Sequence, residues 1–325
     1  MFKNFKLTIS LLLISIFLLT GCSNQYKQSS TEVKDPVVES EEITIPNAKD
    51  IVTRLCSDEF QGRKVGEKGN KLTEEYLYNI FSDLELDTVF KDSFYHNYTY
   101  EVSENHDTTI TTNKEANNVV GKISGTNNQN ALVISAHFDH LGIKDGKLFK
   151  GAIDNASGSA ALIKLANELK TKSKTNQFNF DIIFAAFNGE EYGFYGSTNF
   201  VNDISKSYSK IYNINIDSIG YKNGGDIVFM NILLKNKKDK EYDKLYSHMK
   251  TSFKNNNLNI SNKVLSGVAS DEFSFQNKGH TSIWITEENI KDVINTENDS
   301  PELVDYERID SVVKSIYDSI INFNI

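Results

Sequence analysis

One stretch, residues 131–169, constrains the fold more than any other part of this chain. It begins with an apolar run typical of a β-strand, Ala131–Ala136, which stops abruptly at His137. A polar loop follows, and Asp154 then lies in a turn rich in Gly, Ser and Asn, just before an amphipathic helix. The pattern therefore predicts a strand that delivers a histidine and a helix start that delivers a carboxylate to the same place.

Four apolar runs along the chain predict the strands of a central sheet. They are Ala131–Ala136, Phe180–Phe187, Tyr212–Ile216 and Ser282–Thr286. A helical pattern separates the first two, which favours an α/β fold whose sheet has a parallel centre and is covered on both faces. Ligands of such sheets bind beyond the carboxyl ends of the strands. The first three runs lead into His137, Glu190–Glu191 and Asp217, so we expect these side chains to meet at that edge.

Two helices and several edge strands are predicted before this central sheet. Apolar residues at helical spacing indicate helices over Ala48–Leu55 and Leu72–Leu84, with Arg63 in the loop between them. Composition alone favours a solvated surface charge for Arg63. Alternating apolar and polar residues from Thr88 to Ile123 are typical of edge strands.

The polar residues near the predicted strand ends form a candidate metal site. His137 can offer an imidazole nitrogen, which suits zinc or a similar divalent ion. Asp154, Glu191 and Asp217 can offer carboxylate oxygens to the same ion. Each of these residues alone is more often a surface, turn or capping residue. Their joint occurrence at the ends of apolar runs favours the metal site.

Two further residues have predicted catalytic roles beside the ligands. Asp139 lies two residues after His137 and is placed to accept the second ring N–H, which would fix the tautomer. Glu190 is free to act as general base toward an activated water. A carboxylate shared by two ions would hold them about 3.5–4 Å apart, an arrangement that activates water and polarises a carbonyl.

Residues 1–22 have the features of a bacterial lipoprotein signal peptide. Two lysines precede the apolar run Leu7–Leu19, and Gly21 and Cys22 follow it. Cleavage before Cys22 would leave that thiol to carry lipid, and the domain would be anchored to the cell membrane on its extracytoplasmic side. An ordinary signal peptide and a short membrane helix are the alternatives, although the run is shorter than the roughly 18 residues of a span.

The remaining chain is predicted to form a tether and one domain. Residues 23–46 are polar and charged, as expected of a flexible tether, and residues 47–325 supply enough apolar residues for one large core. With Cys22 lipidated only Cys56 remains, which excludes an intramolecular disulfide and a thiolate zinc site. The net charge of −9 argues against nucleic acid as a partner, and the oligomeric state is left open.

Four successive blocks of the sequence resemble the M28 family of zinc aminopeptidases. They read HFDHLG, GAIDNASGSAAL, FAAFNGEEYGFYGS and NINIDSIGY. The segment SDEFQGR is similar to the opening of bacterial members, so the resemblance covers about residue 48 to the C-terminus. It implies a phosphorylase/hydrolase-like three-layer α/β/α sandwich with a mixed sheet, which binds two zinc ions and acts on peptides.

The resemblance also implies a role for each matching residue. His137 and Asp217 would bind one zinc ion, and Asp154 would bridge the two ions. Glu191 would bind the other ion. Glu190 would be the general base that takes a proton from the water that attacks the scissile carbonyl.

The chain departs from the family at the last metal ligand. Family members have a histidine in a Tyr-His-Thr-Pro-like segment after the last core strand, where Asn295 stands here. An amide oxygen is a weaker and harder ligand than imidazole, so the Glu191 position should bind zinc less tightly or stay empty. We therefore expect one firmly bound zinc ion, with Mn and Co as possible substitutes.

No other histidine is expected to take the place of the missing ligand. His280 is predicted at the start of a strand, away from the site, and His248 on a polar helix. His140 is assigned to the loop beside His137, outside the ligand set.

Three classes of function fit these observations. The first is a membrane-anchored metallo-aminopeptidase, which the presence of Glu190 favours because this residue serves turnover and is dispensable for folding. The second is a catalytically impaired, peptidase-like lipoprotein that binds peptides or metal, and Asn295 is its support. The third is another reaction found on M28-like folds, that of a carboxypeptidase or a glutaminyl cyclase, although the cyclases keep the final histidine.

Overall fold

The computed structural model describes residues 45–104, 107–231 and 239–323, which belong to a compact unit spanning Ile43–Ile325. The described residues contain seven α-helices and eleven β-strands. The helices are α1 (Ala48–Leu55), α2 (Lys68–Asp83), α3 (Ser157–Ser173), α4 (Tyr195–Ile204), α5 (Lys240–Asn255), α6 (Glu272–Asn277) and α7 (Tyr306–Ile321). The strands are β1 (Asp87–Thr88), β2 (Tyr95–Glu104), β3 (Asp107–Ile123), β4 (Asn130–His137), β5 (Gly142–Lys144), β6 (Lys147–Phe149), β7 (Asp181–Phe187), β8 (Lys210–Ile216), β9 (Ile227–Met230), β10 (Ile260–Ser261) and β11 (Thr281–Glu287).

The signal peptide, Cys22 and nearly all of the predicted tether lie outside the described residues, so these assignments stay predictions. Within the described part of the chain, no helix is long and apolar enough to cross a membrane.

A nine-stranded mixed sheet forms the middle layer. Its order is β1-β3-β7-β4-β8-β11-β9-β10, and β2 pairs with β3. The four central strands β7, β4, β8 and β11 are parallel neighbours, and antiparallel β3 and β9 flank them. These four strands are the four predicted apolar runs, so the predicted mixed sheet with a parallel centre is confirmed.

Helices cover both faces of this sheet. Successive side chains of a strand point to opposite sides, and in the central strands the side chains on both sides are apolar and must be buried. In β4, Leu132 and Ile134 contact one core, which also contains apolar residues of α1, α3, α5 and α7. Val133 points to the other face, where Phe200 of α4 and Phe275 of α6 pack. Each central strand is buried on both faces, which explains its nearly continuous apolar sequence. The predicted three-layer α/β/α architecture is therefore confirmed.

Two local expectations need correction. Strand β3 is paired on both sides, with β1 and β2 on one and β7 on the other, so the edge position predicted for the whole of 88–123 is wrong for this strand. The second predicted helix begins four residues earlier than expected, at Lys68, because Gly69 packs against the backbone of Phe60 and lets the helix start there.

The sheet brings the candidate residues to one edge. His137 is the last residue of β4, Asp217 follows β8 directly, and Glu190 and Glu191 follow β7 in a short turn. Because β4, β7 and β8 are parallel neighbours, their carboxyl ends lie side by side. Asp154 reaches the same edge from the irregular turn Ala152–Ala156 before α3.

Candidate metal centre

Three buried side chains form the first cluster of candidate ligands, His137, Asp154 and Asp217. His137 Nε2 lies 3.3 Å from Asp154 Oδ1 and 3.4 Å from Asp217 Oδ1. Ligand atoms around a tetrahedral zinc with bonds of about 2.0–2.1 Å are about 3.3 Å apart. Among the described residues, the buried Nε2 has no hydrogen-bond partner. These two distances fit the ligand spacing of a zinc ion, and the unpartnered nitrogen is where a ligand bond is expected.

The ring of His137 is oriented by its other nitrogen. Nδ1 lies 3.2 Å from the backbone carbonyl oxygen of Asp139, so an Nδ1–H donates there and leaves Nε2 as the free lone pair. The Asp139 carboxylate is 3.7 Å from Nδ1, too far for a hydrogen bond. The sequence prediction that this carboxylate fixes the tautomer is thus wrong about the accepting atom.

The Asp139 carboxylate orients the Glu190–Glu191 turn instead. Its oxygens accept hydrogen bonds from the backbone N–H of Glu190 at 3.2 Å and of Glu191 at 3.4 Å. Asp139 is completely buried, so these bonds are shielded from water. This contact ties the loop after β4 to the turn after β7 and positions both glutamates.

A second cluster lies beside the first and consists of His140, Asp154 and Glu191. His140 Nδ1 is 2.8 Å from Glu191 Oε1 and 3.9 Å from Asp154 Oδ2. Asp154 thus points one oxygen toward His137 and the other toward His140, as a bridging carboxylate would. Sequence reasoning left His140 out of the ligand set. The signal that could have revealed it is a second histidine three residues after the candidate ligand His137.

A cavity of about 230 Å³ opens onto both clusters. Asp154, Glu190, Glu191, Asp217 and Asn295 line it. Its walls also include apolar side chains, those of Val268, Trp284 and Ile290. The structure therefore brings the five acidic and histidine candidates and Asn295 to one place, and their individual roles as ligands stay predictions.

The cavity carries an excess of buried negative charge. Burial raises the pKa of Glu191 to about 7, and the nearby carboxylates of Asp139 and Asp217 add to this shift. Burial also raises the pKa values of Glu190 and Asp154. Burial works against a charged His137, yet the Asp217 and Glu190 carboxylates hold the pKa of this imidazole well above its ordinary value. A site that draws a proton so strongly onto an imidazole is one that a divalent cation would stabilise.

Arg63 is completely buried, so the expected surface position is wrong. Its guanidinium donates to four backbone carbonyl oxygens at 2.7–2.8 Å. These oxygens belong to Leu55, Phe138, Lys150 and Gly151. Because Phe138 follows His137 and Gly151 opens the turn that leads to Asp154, Arg63 joins the two loops that deliver these candidate ligands. The nearby sequence has no pattern that indicates this role.

Comparisons with known proteins were made for the whole chain. The model of Peptidase family M28 matches residues 118–320, which is more than half of the chain and includes every candidate ligand. The aminopeptidase YwaD of Bacillus subtilis (strain 168) is 29% identical over 113 residues, which make up 34% of this chain and 23% of that protein. The match therefore spans less than a quarter of that relative's length.

Solved structures share the fold. BSAP, a zinc aminopeptidase from Bacillus subtilis, has a TM-score of 0.64 at 15% identity, over 84% of this chain and 93% of its own. The glutaminyl cyclase of Fimbriiglobus ruber has a TM-score of 0.67 at 17% identity, over 84% of this chain and 93% of its own. At these identities the likeness shows the fold alone. The family match and the aminopeptidase relative support a metallopeptidase, and the chain belongs to peptidase family M28.

Proposed function

We propose that this protein is a zinc-dependent aminopeptidase that removes N-terminal residues from peptides at the extracytoplasmic face of the membrane. The observation that carries the proposal is the pair of distances from His137 Nε2 to Asp154 Oδ1 and to Asp217 Oδ1, which match the ligand spacing of a tetrahedral zinc. Glu190 lines the same cavity.

The reaction follows from the positions of these groups. Zinc held by the two clusters would polarise the scissile carbonyl and lower the pKa of a water molecule. Glu190 takes a proton from this water as its oxygen attacks the carbonyl carbon, and then gives that proton to the leaving amine. The Asp139 carboxylate keeps Glu190 in position, because it accepts a hydrogen bond from the backbone N–H of Glu190. Water thus supplies the hydroxyl of the new carboxyl group and the proton that Glu190 gives to the amine.

The charge of the cavity supports cleavage at an N-terminus. Its titratable walls are four carboxyl groups, those of Asp154, Glu190, Glu191 and Asp217, and the described residues that line it include no Lys or Arg to pair with a free carboxylate. The volume of about 230 Å³ is below the roughly 300–1,000 Å³ of drug-sized sites and suits the end of a chain. The volume suits an exopeptidase, and the lining favours an aminopeptidase over a carboxypeptidase.

The second candidate function is a binding protein that holds a peptide or metal without turnover. Asn295 favours it, because this residue stands where the family has its final metal ligand and is exposed at the cavity wall. Such a protein would show affinity for a peptide with a free amine and no release of its first residue.

The experiment uses the full-length protein and a matched pair of substrates, leucinamide and N-acetyl-leucinamide. We expect hydrolysis of the free amine alone, loss of turnover with a chelator, and recovery with added zinc. Equal cleavage of the acetylated compound would contradict an aminopeptidase. Absence of turnover with Zn, Mn and Co would contradict the enzyme and favour the binding protein.

The membrane position is a separate part of the proposal. The apolar run Leu7–Leu19 followed by Gly21 and Cys22 supports a lipid on the Cys22 thiol. Two or more acyl chains on one residue are sufficient for stable anchoring. We expect the protein in the membrane fraction and Cys22→Ser in the soluble or unprocessed fraction. A Cys22→Ser variant that is processed normally and stays with the membrane would contradict the lipid anchor.

A further inference from the structure

The second metal position that the family resemblance implies has two carboxylates and needs a nitrogen ligand if it is to hold a transition metal tightly. Asp154 and Glu191 supply oxygens only, and the family's last ligand is replaced by Asn295. The backbone of Asn295 is in the left-handed region with φ of 59°, and the residue is exposed. An exposed amide competes with water as a ligand, so the ligand set lacks an imidazole on that side.

An imidazole nevertheless lies beside these two carboxylates. His140 is completely buried, and its Nδ1 is 2.8 Å from Glu191 Oε1 and 3.9 Å from Asp154 Oδ2. One ligand atom from each of these three residues lies within 4.8 Å of the other two. This is the same grouping of one histidine and two carboxylates as in the first cluster, and the two clusters share Asp154.

The ring of His140 is held in place by its surroundings. Gly151 has φ of 56°, and a Cβ atom added there would lie 2.5 Å from Cγ and Cδ2 of the His140 ring. The ring therefore packs directly against this backbone, which no other residue type would allow. The backbone N–H of His140 donates to the Arg63 carbonyl oxygen at 3.4 Å, and the Arg63 guanidinium donates to the Gly151 carbonyl oxygen. A side chain fixed in this way loses little entropy when it binds a ligand.

We propose that His140 is the imidazole ligand of the second metal ion and takes the role of the histidine that Asn295 replaces. The proposal rests on the metal-dependent function proposed above, and it assigns the second position to His140, Asp154 and Glu191. In the family pattern the imidazole ligand comes from the C-terminal segment, whereas here it comes from the loop after β4. The two carboxylate ligands are the same in both. The second metal position is then complete, in contrast to the weak or empty position predicted from Asn295.

The first test is a zinc count. The full-length protein is saturated with zinc, freed of excess metal and analysed by mass spectrometry, together with His140→Ala, Asn295→Ala and His280→Ala. His280 is a matched control because its Nε2 contacts Ser205 Oγ, away from both clusters. We expect two zinc ions per chain in the wild type, in Asn295→Ala and in His280→Ala, and one in His140→Ala. Two zinc ions in a folded His140→Ala variant would overturn the proposal, as would one in the wild type.

The second test needs no substitution and separates a ligand from a residue that only positions Glu191. X-ray absorption at the zinc edge of the wild-type protein counts imidazole ligands per metal. If His137 and His140 both bind, each zinc ion has one imidazole on average. If His140 only donates a hydrogen bond to Glu191, there is one imidazole for every two zinc ions, and the proposal is wrong.

The two proposals fail in different ways. Zinc and imidazole counts as expected, without hydrolysis of any aminoacyl amide, would contradict the aminopeptidase and leave the ligand assignment standing. Hydrolysis with a zinc count that does not depend on residue 140 would contradict the ligand assignment and leave the aminopeptidase standing.

Discussion

The carboxylate of Asp299 accepts a hydrogen bond from the backbone N–H of Asp154 at 3.0 Å, and this bond ties the C-terminal segment to the candidate bridging ligand. The other Asp299 oxygen accepts the N–H of Ile153 at 2.7 Å. Asp299 is completely buried and lies four residues after Asn295. The segment that contains Asn295 therefore supports the turn that carries Asp154 through the Asp299 carboxylate.

Asp299→Asn is expected to weaken zinc binding. An amide offers one acceptor oxygen, and its NH₂ group would face the second backbone N–H, so the turn that carries Asp154 loses part of its support. We expect the zinc affinity to fall by about 10- to 100-fold, as for other residues that orient metal ligands. Competition with a fluorescent zinc chelator measures this change. Asp292→Asn, at an exposed position of the same segment, is the control and should bind zinc as the wild type does.

Glu190→Gln is expected to abolish the general base and leave the metal in place. The substitution removes the proton acceptor while nearly preserving the side-chain volume, so kcat should fall by about 10²- to 10⁴-fold. The zinc count should not change. The control is Glu75→Gln, which alters an exposed glutamate of α2. A Glu190→Gln variant with wild-type kcat would show that another group takes the proton.

Arg63→Met is expected to destabilise the fold. The buried guanidinium satisfies four carbonyl oxygens, and an apolar side chain leaves them without these donors. We expect the free energy of unfolding to fall by more than about 3 kcal/mol, because each buried carbonyl that loses its donor costs about 1–3 kcal/mol. Urea denaturation measures it. Arg54→Met is the control, since Arg54 is exposed and only stacks on Phe60 and Tyr76, so a loss of at most about 1 kcal/mol is expected.

The two cysteines are expected to differ in their reactivity. Burial raises the pKa of the Cys56 thiol to about 11, so at pH 8 this thiol is neutral as well as inaccessible, and the reactive thiolate forms only as the pH approaches 11. With Cys22 lipidated, a maleimide should label the native mature protein very slowly and the unfolded protein at one thiol per chain. Fast labelling of native Cys56→Ser would identify Cys22 as a free thiol and contradict lipidation.

The central sheet could be predicted from sequence because its strands are buried on both faces. Their apolar runs are long, and the polar residues that end them, such as His137 and Asp217, are therefore conspicuous. The position of Asp154 followed from the turn chemistry before α3. These features depend on local pattern, which a single sequence shows directly.

The features that could not be predicted depend on contacts between distant parts of the chain. Arg63 binds carbonyl groups 75 and 88 residues away, and nothing near it in sequence indicates those partners. His140 meets Glu191 across 51 residues, through two loops whose backbone paths the sequence does not specify. Asp139 differs from its predicted role for the same reason, because its carboxylate turns toward the Glu190–Glu191 turn and away from the neighbouring imidazole.

A crystal of the zinc-loaded protein, measured by anomalous scattering at the zinc edge, tests the metal centre most directly. We predict two peaks about 3.5–4 Å apart. One is bounded by His137, Asp154 and Asp217, and the other by His140, Asp154 and Glu191. No peak at these residues, or a second peak that contacts Asn295 and leaves His140 unbound, would contradict this account.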